Sequence, residues 1–311
     1  MVKKAGVIGY PIEHSFSPTI HNYWLKKYDI QGTYERIEVH PDNLINFLEN
    51  YFQEYSGINV TIPYKVEVFN HFNNQEDKVF IPQKDSIEFY CYMMAKSSKS
   101  SNSVVNKDNN KVELMTTDGY GFQECLRNVE FNQNNDKNII ILGAGGACRA
   151  ILEEFRKFPK LEKLYIANRT KSKAETVINN FFNELKLSNN YDVLNSLENK
   201  FHAISLSEVE NKLQDVNLLV NTTSLGMTRQ PNLDINISNI NSNAKIIDIV
   251  FNPLKTQLIL DAEKKGLKFS DGLNMLIGQA APAFKEFYKT DFIPDIDEGV
   301  REHVIKQHNL K

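Results

Sequence analysis

Apolar residues fall along this chain in short runs separated by amphipathic stretches. Ala5–Gly9, Thr33–Val39 and Gly57–Ile62 read as strands. A helix is expected from Ser17, which stands as its N-cap with Pro18 at the first helical position. Phe47 and Leu48 lie on a second expected helix after Pro41. Ile139–Leu142, Lys163–Ala167, Leu218–Asn221 and Lys245–Ile249 are continuously apolar, as strands covered on both faces are. Helical stretches between them predict βαβ units and parallel sheets, an α/β fold. Three regions resist this reading. Residues 66–105 show no clean period, Ser97–Ser103 is almost wholly Ser, Lys and Asn and reads as a mobile loop, and 181–203 reads as irregular. Asn-rich clusters such as Asn132–Asn138 sit between periodic segments as polar loops.

Length changes the picture first, because 311 residues exceed what one compact core comfortably holds and suit two domains. A hydrophobic content of 41% with 24% charged residues belongs to a globular protein. The net charge of −3 offers no global attraction to nucleic acid or to an anionic membrane, so any bound anion must be held by local groups. Cys91, Cys125 and Cys148 form neither a CxxC pair nor an even framework, which predicts reduced thiols and a cytoplasmic location. No apolar run has the length of a signal peptide core or a membrane span. The seven histidines are scattered without metal-ligand spacing, so no metal is expected, and His14 and His21 read as packing and hydrogen-bonding residues.

Candidate chemistry begins at Ile139–Ala150, a strand, a glycine turn and a helix start. Gly143 and Gly145, with Ala144, Gly146 and Ala147, permit a tight turn whose backbone N–H groups can meet a pyrophosphate at a helix N-terminus. Cys148 stands where the third glycine of GxGxxG falls, and a glycine turn can also serve packing alone. The following strand ends without the Asp or Glu that accepts a ribose 2′-OH; it runs instead into Asn168-Arg169-Thr170-Lys171-Ser172-Lys173. Such a turn is either a solvated basic surface or a seat for a 2′-phosphate, and the second reading favours NADP over NAD. Gly9 to Asn22 packs the hydroxyls of Ser15 and Ser17 into a turn before a helix, which suits a carboxylate, although by physics alone Ser17 is only a cap. Asn59 and Thr61 share one strand face by period-two spacing, and Lys65 follows; a lone lysine there would simply be solvated.

These segments together resemble the shikimate dehydrogenase family. The strings that carry the resemblance occur in order over most of the chain: GYPIEHSFSP, GINVTIPYK, SVVN, TTDGYGF, GAGGACRA, NRTKSKA, NTTSLGM, DIVFNPLKTQL and DGLNMLIGQA. The resemblance implies an N-terminal α/β substrate domain (1–117 and 271–311) and a Rossmann-type NADP domain (118–270), with the C-terminal helices returning to the first. It implies interconversion of 3-dehydroshikimate and shikimate with NADP, by a monomer or homodimer. Ser15 and Ser17 match the residues that hold the substrate carboxylate. Asn59, Thr61, Asn106 and Gln279 match those that bind or line the ring hydroxyls. Lys65 and Asp118 match the catalytic pair. Asn168, Arg169, Thr170 and Lys173 fall in the 2′-phosphate segment, while Asn221, Thr222, Met227 and Gly272 fall beside the nicotinamide. Gln279 is expected on a helix with Leu276, Ala280, Ala283 and Phe287.

Departures from the family pattern carry their own expectations. Phe251, counted with the substrate residues, stands where many relatives have a tyrosine, and losing that hydroxyl bond costs ~1–3 kcal/mol unless something substitutes. Ser103-Val-Val-Asn106 replaces the usual GAVN, and the stretch from Lys65 to Asn106 is longer than the pattern has. Thr116 replaces the Asn that normally precedes Thr-Asp, and Asn274 replaces a small residue. The implied chemistry has Lys65 donating a proton at the carbon being reduced and Asp118 fixing the lysine and a substrate hydroxyl. The alternatives are a quinate/shikimate dehydrogenase of dual specificity and a catalytically silent NADP-binding relative.

Overall fold

The computed structural model describes residues 2–310. In the first part the chain runs β1 (Lys3–Gly9), α1 (Ser17–Lys27), β2 (Gly32–Glu38), α2 (Leu44–Asn50), β3 (Gly57–Val60), α3 (Lys65–Asn73), α4 (Ile87–Ser98), β4 (Ser103–Lys107), β5 (Lys111–Met115) and α5 (Asp118–Asn128). It continues with β6 (Asn138–Leu142), α6 (Gly146–Glu154), β7 (Lys163–Asn168), α7 (Lys171–Leu187), α8 (Tyr191–Leu197) and β8 (Phe201–Ser205). Then come β9 (Leu218–Asn221), β10 (Lys245–Asp248), α9 (Gln257–Lys264), β11 (Lys268–Ser270), α10 (Gly272–Tyr288) and α11 (Glu298–His308). One compact unit holds residues 2–121 with Leu276–Asn309; the other holds Phe122–Met275 with Leu310. The boundaries fall inside α5 and α10.

The first unit is built on a five-stranded sheet of order β2-β1-β3-β4-β5. The β2, β1 and β3 strands are parallel, and β4 runs antiparallel to both β3 and β5. The carboxyl ends of β1, β3 and β5 and the amino end of β4 therefore open on one edge of the sheet. Ile8, Ile58, Val60, Val104 and Leu114 pack one face against Leu48 of α2, Phe52 of the turn after it, and Val68 and Phe69 of α3. Trp24 of α1 meets Phe284 of α10 with ring centroids 5.5 Å apart, and both rings are fully buried.

The second unit has a six-stranded, wholly parallel sheet of order β11-β10-β9-β6-β7-β8. Strand order reverses between β6 and β9, and in such sheets ligands bind outside the carboxyl ends at that point. The continuous apolar runs are explained by two cores. Ile139, Ile141, Leu218, Val220 and Ile247 face one, while Ile140, Leu142, Leu219 and Ile246 face the other.

Two regions expected to be irregular are ordered elements. Ser86 caps α4, its Oγ accepting from Phe89 N at 3.0 Å, and left-handed Lys99 ends that helix. Ala174, Val177, Ile178, Phe181 and Leu185 recur at helical spacing and bury one face of α7, so 181–187 is helix. The expected mobile loop Ser97–Ser103 is also corrected: Ser101, Asn102 and Ser103 are buried, because Ser101 Oγ donates to Ser103 O and Met115 O. Helix α1 starts one residue from expectation, with Phe16 as its N-cap and Ser17 already helical. Among the described residues no helix is long and apolar enough to cross a membrane.

Candidate active site

In the first unit the edge onto which β1, β3, β4 and β5 open gathers a continuous polar cluster. Lys65 is the first residue of α3, just beyond β3. Its turn is held by Tyr64, whose buried hydroxyl donates to Val39 O at 2.5 Å, and its own carbonyl accepts from Ser101 N at 2.9 Å. Asp118 opens α5, just beyond β5. Lys65 Nζ donates to Asp118 Oδ2 at 2.8 Å, although 53 residues separate them. The two side chains are 30% and 14% exposed, so the pair is shielded yet reachable by a solute.

Asn102 completes this pair. It is 3% exposed, at the start of β4. Its Nδ2 lies 2.8 Å from Asp118 Oδ1, 3.0 Å from Thr117 Oγ1 and 3.4 Å from Gln279 Oε1. Its Oδ1 accepts from Thr117 N at 2.9 Å. Gln279, on α10, is half-buried and also accepts from Thr117 Oγ1 at 3.4 Å. Asn59 is buried beside Asn102, with Nδ2 donating to Asn102 O at 3.2 Å, and Thr61 follows half-buried at the end of β3. Ser17 is buried and Ser15 half-buried, with Ser15 Oγ accepting from Ser17 N at 3.4 Å.

One expected substrate residue is not in this cluster. Asn106 Nδ2 donates to Phe52 O at 3.0 Å and Tyr55 O at 2.5 Å, so it ties down a turn near the opposite edge of the sheet. Four residues of strand place it roughly 13 Å from Asn102. Asn102, missed in the sequence reading, stands where Asn106 was expected. Its signal was present in Asn102-Ser103-Val104, a polar residue leading directly into a strand.

In the second unit the glycine turn joins β6 to α6. Gly143 has φ +101°, and a Cβ there would lie 2.7 Å from Thr222 Oγ1, so only glycine fits. A Cβ on Gly145 or Gly146 would meet nothing within 4 Å, which leaves open space over the first N–H groups of α6. Ala144 and Ala147 complete the turn, and buried Cys148 fills the third-glycine position within the core. That space, beside a helix N-terminus, fits a pyrophosphate. Beyond β7, Asn168 Nδ2 donates to Thr170 O at 2.9 Å, and Arg169, Thr170 and Lys173 are exposed.

Asn221 ends β9, and its side chain is held wholly by protein partners. It is fully buried: Nδ2 donates to Asp248 Oδ1 at 2.9 Å and Leu225 O at 3.2 Å, and Oδ1 accepts from Thr223 N and Thr223 Oγ1. All the hydrogen-bonding capacity of its side chain is used by protein, so that side chain shapes the loop leading to Met227, which is 37% exposed. Thr222 Oγ1 likewise donates to Leu142 O at 2.6 Å. Asp248 accepts from Asn221, from Val250 N at 3.0 Å and from Thr256 Oγ1 at 2.6 Å. Phe251 follows, half-buried. Gly272 is required by close approach, since a Cβ there would stand 2.1 Å from Ile249 O. Among the described residues no group of three or more His, Cys, Asp or Glu side chains could hold a metal ion.

Comparison with known proteins agrees with this layout. Family models described as shikimate dehydrogenase substrate binding domain and as shikimate / quinate 5-dehydrogenase match residues 7–80 and 126–209. The chain is 33% identical to shikimate dehydrogenase (NADP(+)) of Sinorhizobium medicae over 98% of its own length and 95% of the relative's. It is similar to the crystal structure of shikimate 5-dehydrogenase from Thermus thermophilus in complex with NADP(H) and shikimate. The TM-score is 0.76 at 26% identity, covering 98% of this chain and 99% of that one. Quinate dehydrogenase from Corynebacterium glutamicum gives a TM-score of 0.79 at 22% identity over 98% and 99% of the two chains, a likeness of fold.

The Asp248 network sets a pH dependence. Burial pushes its carboxyl up to about 6, outweighing the hydrogen bonds from Thr256, Val250 and Asn221 that favour the charged form. A folded value above the unfolded one means that Asp248 contributes most to stability below about pH 4, and that this contribution is lost as pH rises through about 6. Urea unfolding of the wild type and Asp248→Asn from pH 4 to pH 7 is expected to show the wild type losing ~2 kcal/mol relative to the variant. Parallel curves would contradict this.

Proposed function

Given that this chain belongs to the shikimate dehydrogenase family, we propose that it interconverts 3-dehydroshikimate and shikimate using NADP, in the cytoplasm. The observation that carries the reading is the Lys65–Asp118 pair, held by Asn102 and set among hydroxyls and amides at one sheet edge. A small polyhydroxy acid needs a carboxylate seat, several hydroxyl partners and a proton source, and the cluster offers each. Ser15 and Ser17 take the carboxylate at the turn before α1. Asn59, Thr61 and Gln279, together with Asn102 in place of Asn106, face the ring hydroxyls.

Bound NADPH supplies the hydride, which no side chain can. As the carbonyl carbon gains that hydride, its oxygen gains a proton, and Lys65 Nζ is the donor with the reach and the charge to give it. Asp118 fixes the ammonium through Oδ2 and leaves Oδ1, shared with Asn102, to orient a neighbouring substrate hydroxyl. In the oxidative direction Lys65 takes the proton back. Arg169, Thr170 and Lys173, with no carboxylate ending β7, favour the 2′-phosphate that distinguishes NADP from NAD.

Absorbance at the nicotinamide band with shikimate and NADP tests reaction, substrate and cofactor together, and faster oxidation of quinate would replace the substrate assignment. Lys65→Ala is expected to lower kcat by ~10²–10⁴ with little change in KM, and near-normal turnover would remove Lys65 from the chemistry. Arg169→Ala is expected to cut the preference for NADP over NAD by roughly 10–100-fold, the worth of one charge-assisted bond. An unchanged ratio of kcat/KM for the two cofactors would refute that role.

A further inference from the structure

Tyr34 stands on β2, the edge strand of the first sheet, and it is 4% exposed. Its hydroxyl donates to Asn59 Oδ1 at 2.5 Å. The line continues: Asn59 Nδ2 donates to Asn102 O, Asn102 Nδ2 to Asp118 Oδ1, and Lys65 Nζ to Asp118 Oδ2.

The phenol is itself immobilised from α1. His21, fully buried, stacks on the Tyr34 ring with centroids 4.0 Å apart and planes 8° from parallel. Asn22 clamps the Tyr34 backbone on the outer side of the strand: its Nδ2 donates to Tyr34 O at 2.9 Å, and its Oδ1 accepts from Tyr34 N at 3.2 Å. Neither ring nitrogen of His21 has a hydrogen-bond partner among the described residues, so the imidazole acts on Tyr34 by stacking.

Counting the Asn59 amide shows what the phenol achieves. Oδ1 accepts from Tyr34 and one Nδ2 proton goes to Asn102 O, which leaves the second N–H for a substrate hydroxyl. Remove the phenol oxygen and a buried carbonyl loses its donor, so the amide is no longer held with that N–H presented.

We propose that Tyr34 is a positioning residue that orients the Asn59 amide, so that its free N–H is held towards a ring hydroxyl of the substrate. The proposal rests on the reading of this cluster as the shikimate site. It distinguishes Tyr34 from Lys65 and Asp118, because its hydroxyl acts on substrate affinity and reaches the proton-transfer pair only through Asn59 and Asn102.

The test is Tyr34→Phe in the full chain, which keeps the ring and its stack on His21. Steady-state kinetics with shikimate and NADP varied in turn are read beside a thermal melt. Losing the phenol's bond is expected to raise KM for shikimate about 10-fold, with kcat within about 3-fold and KM for NADP unchanged. A KM for shikimate equal to the wild type's overturns the proposal. So does an equal loss in every parameter with a collapsed melting temperature, since the hydroxyl would then be holding the fold rather than the site. Absence of wild-type activity is a separate result, which strikes the functional reading itself.

Discussion

A carboxamide with 3% of its surface in contact with solvent has to find its hydrogen bonds inside the protein, and this requirement at Asn102 organises the first unit's polar edge. Its side chain serves β5's exit through Thr117, α5's first residue through Asp118 and α10 through Gln279, while its backbone carbonyl accepts from Val60 N and Asn59 Nδ2. Chain segments far apart in sequence are thereby brought to common positions. The Lys65–Asp118 ion pair inherits its geometry from this arrangement, because one oxygen of Asp118 is already committed to Asn102 before the ammonium approaches the other. A partly exposed lysine–carboxylate pair is worth little as a source of stability. Its value lies in orientation.

The second unit solves a similar problem at the carboxyl ends of β9 and β10. Asn221 spends its full hydrogen-bonding capacity on Asp248 and on the loop that follows β9, while Asp248 accepts from Asn221, Val250 N and Thr256. The course of that loop is therefore set by hydrogen bonds within the protein. Gly143 and Gly272 add steric constraints of the same kind, each marking a place where backbone must come closer to a neighbour than a side chain allows.

Much of this is legible in the sequence, for identifiable reasons. Ile139–Leu142 and Leu218–Asn221 are buried on both faces, and Leu164–Ala167 nearly so, so their apolar runs mark the strands to within a residue or so. The α/β architecture follows from their alternation with helices. What escapes depends on long-range pairing. The serine-rich run before β4 has the composition of a loop, yet Ser101 and Asn102 are buried because β3 and β5 lie on either side. With that run read as loop, the asparagine of Ser103-Val-Val-Asn106 is the natural candidate, and only coordinates show Asn106 holding a turn at the far edge. Asn221 stands out in the sequence but its part does not, since a sequence cannot show that an amide's four bonding positions are already taken. Tyr34 gives no signal at all, being one aromatic residue in an edge strand.

The stack of His21 on Tyr34 has a consequence for how the site responds to acidity. Burial drives the imidazole down to about 3 and the phenol well above its usual value of 10.0. Between those limits neither ring gains or loses a proton, so the stack is an electrically inert wall across the whole physiological range. Any sensitivity of the first unit to proton concentration across that range therefore has its origin outside these two rings.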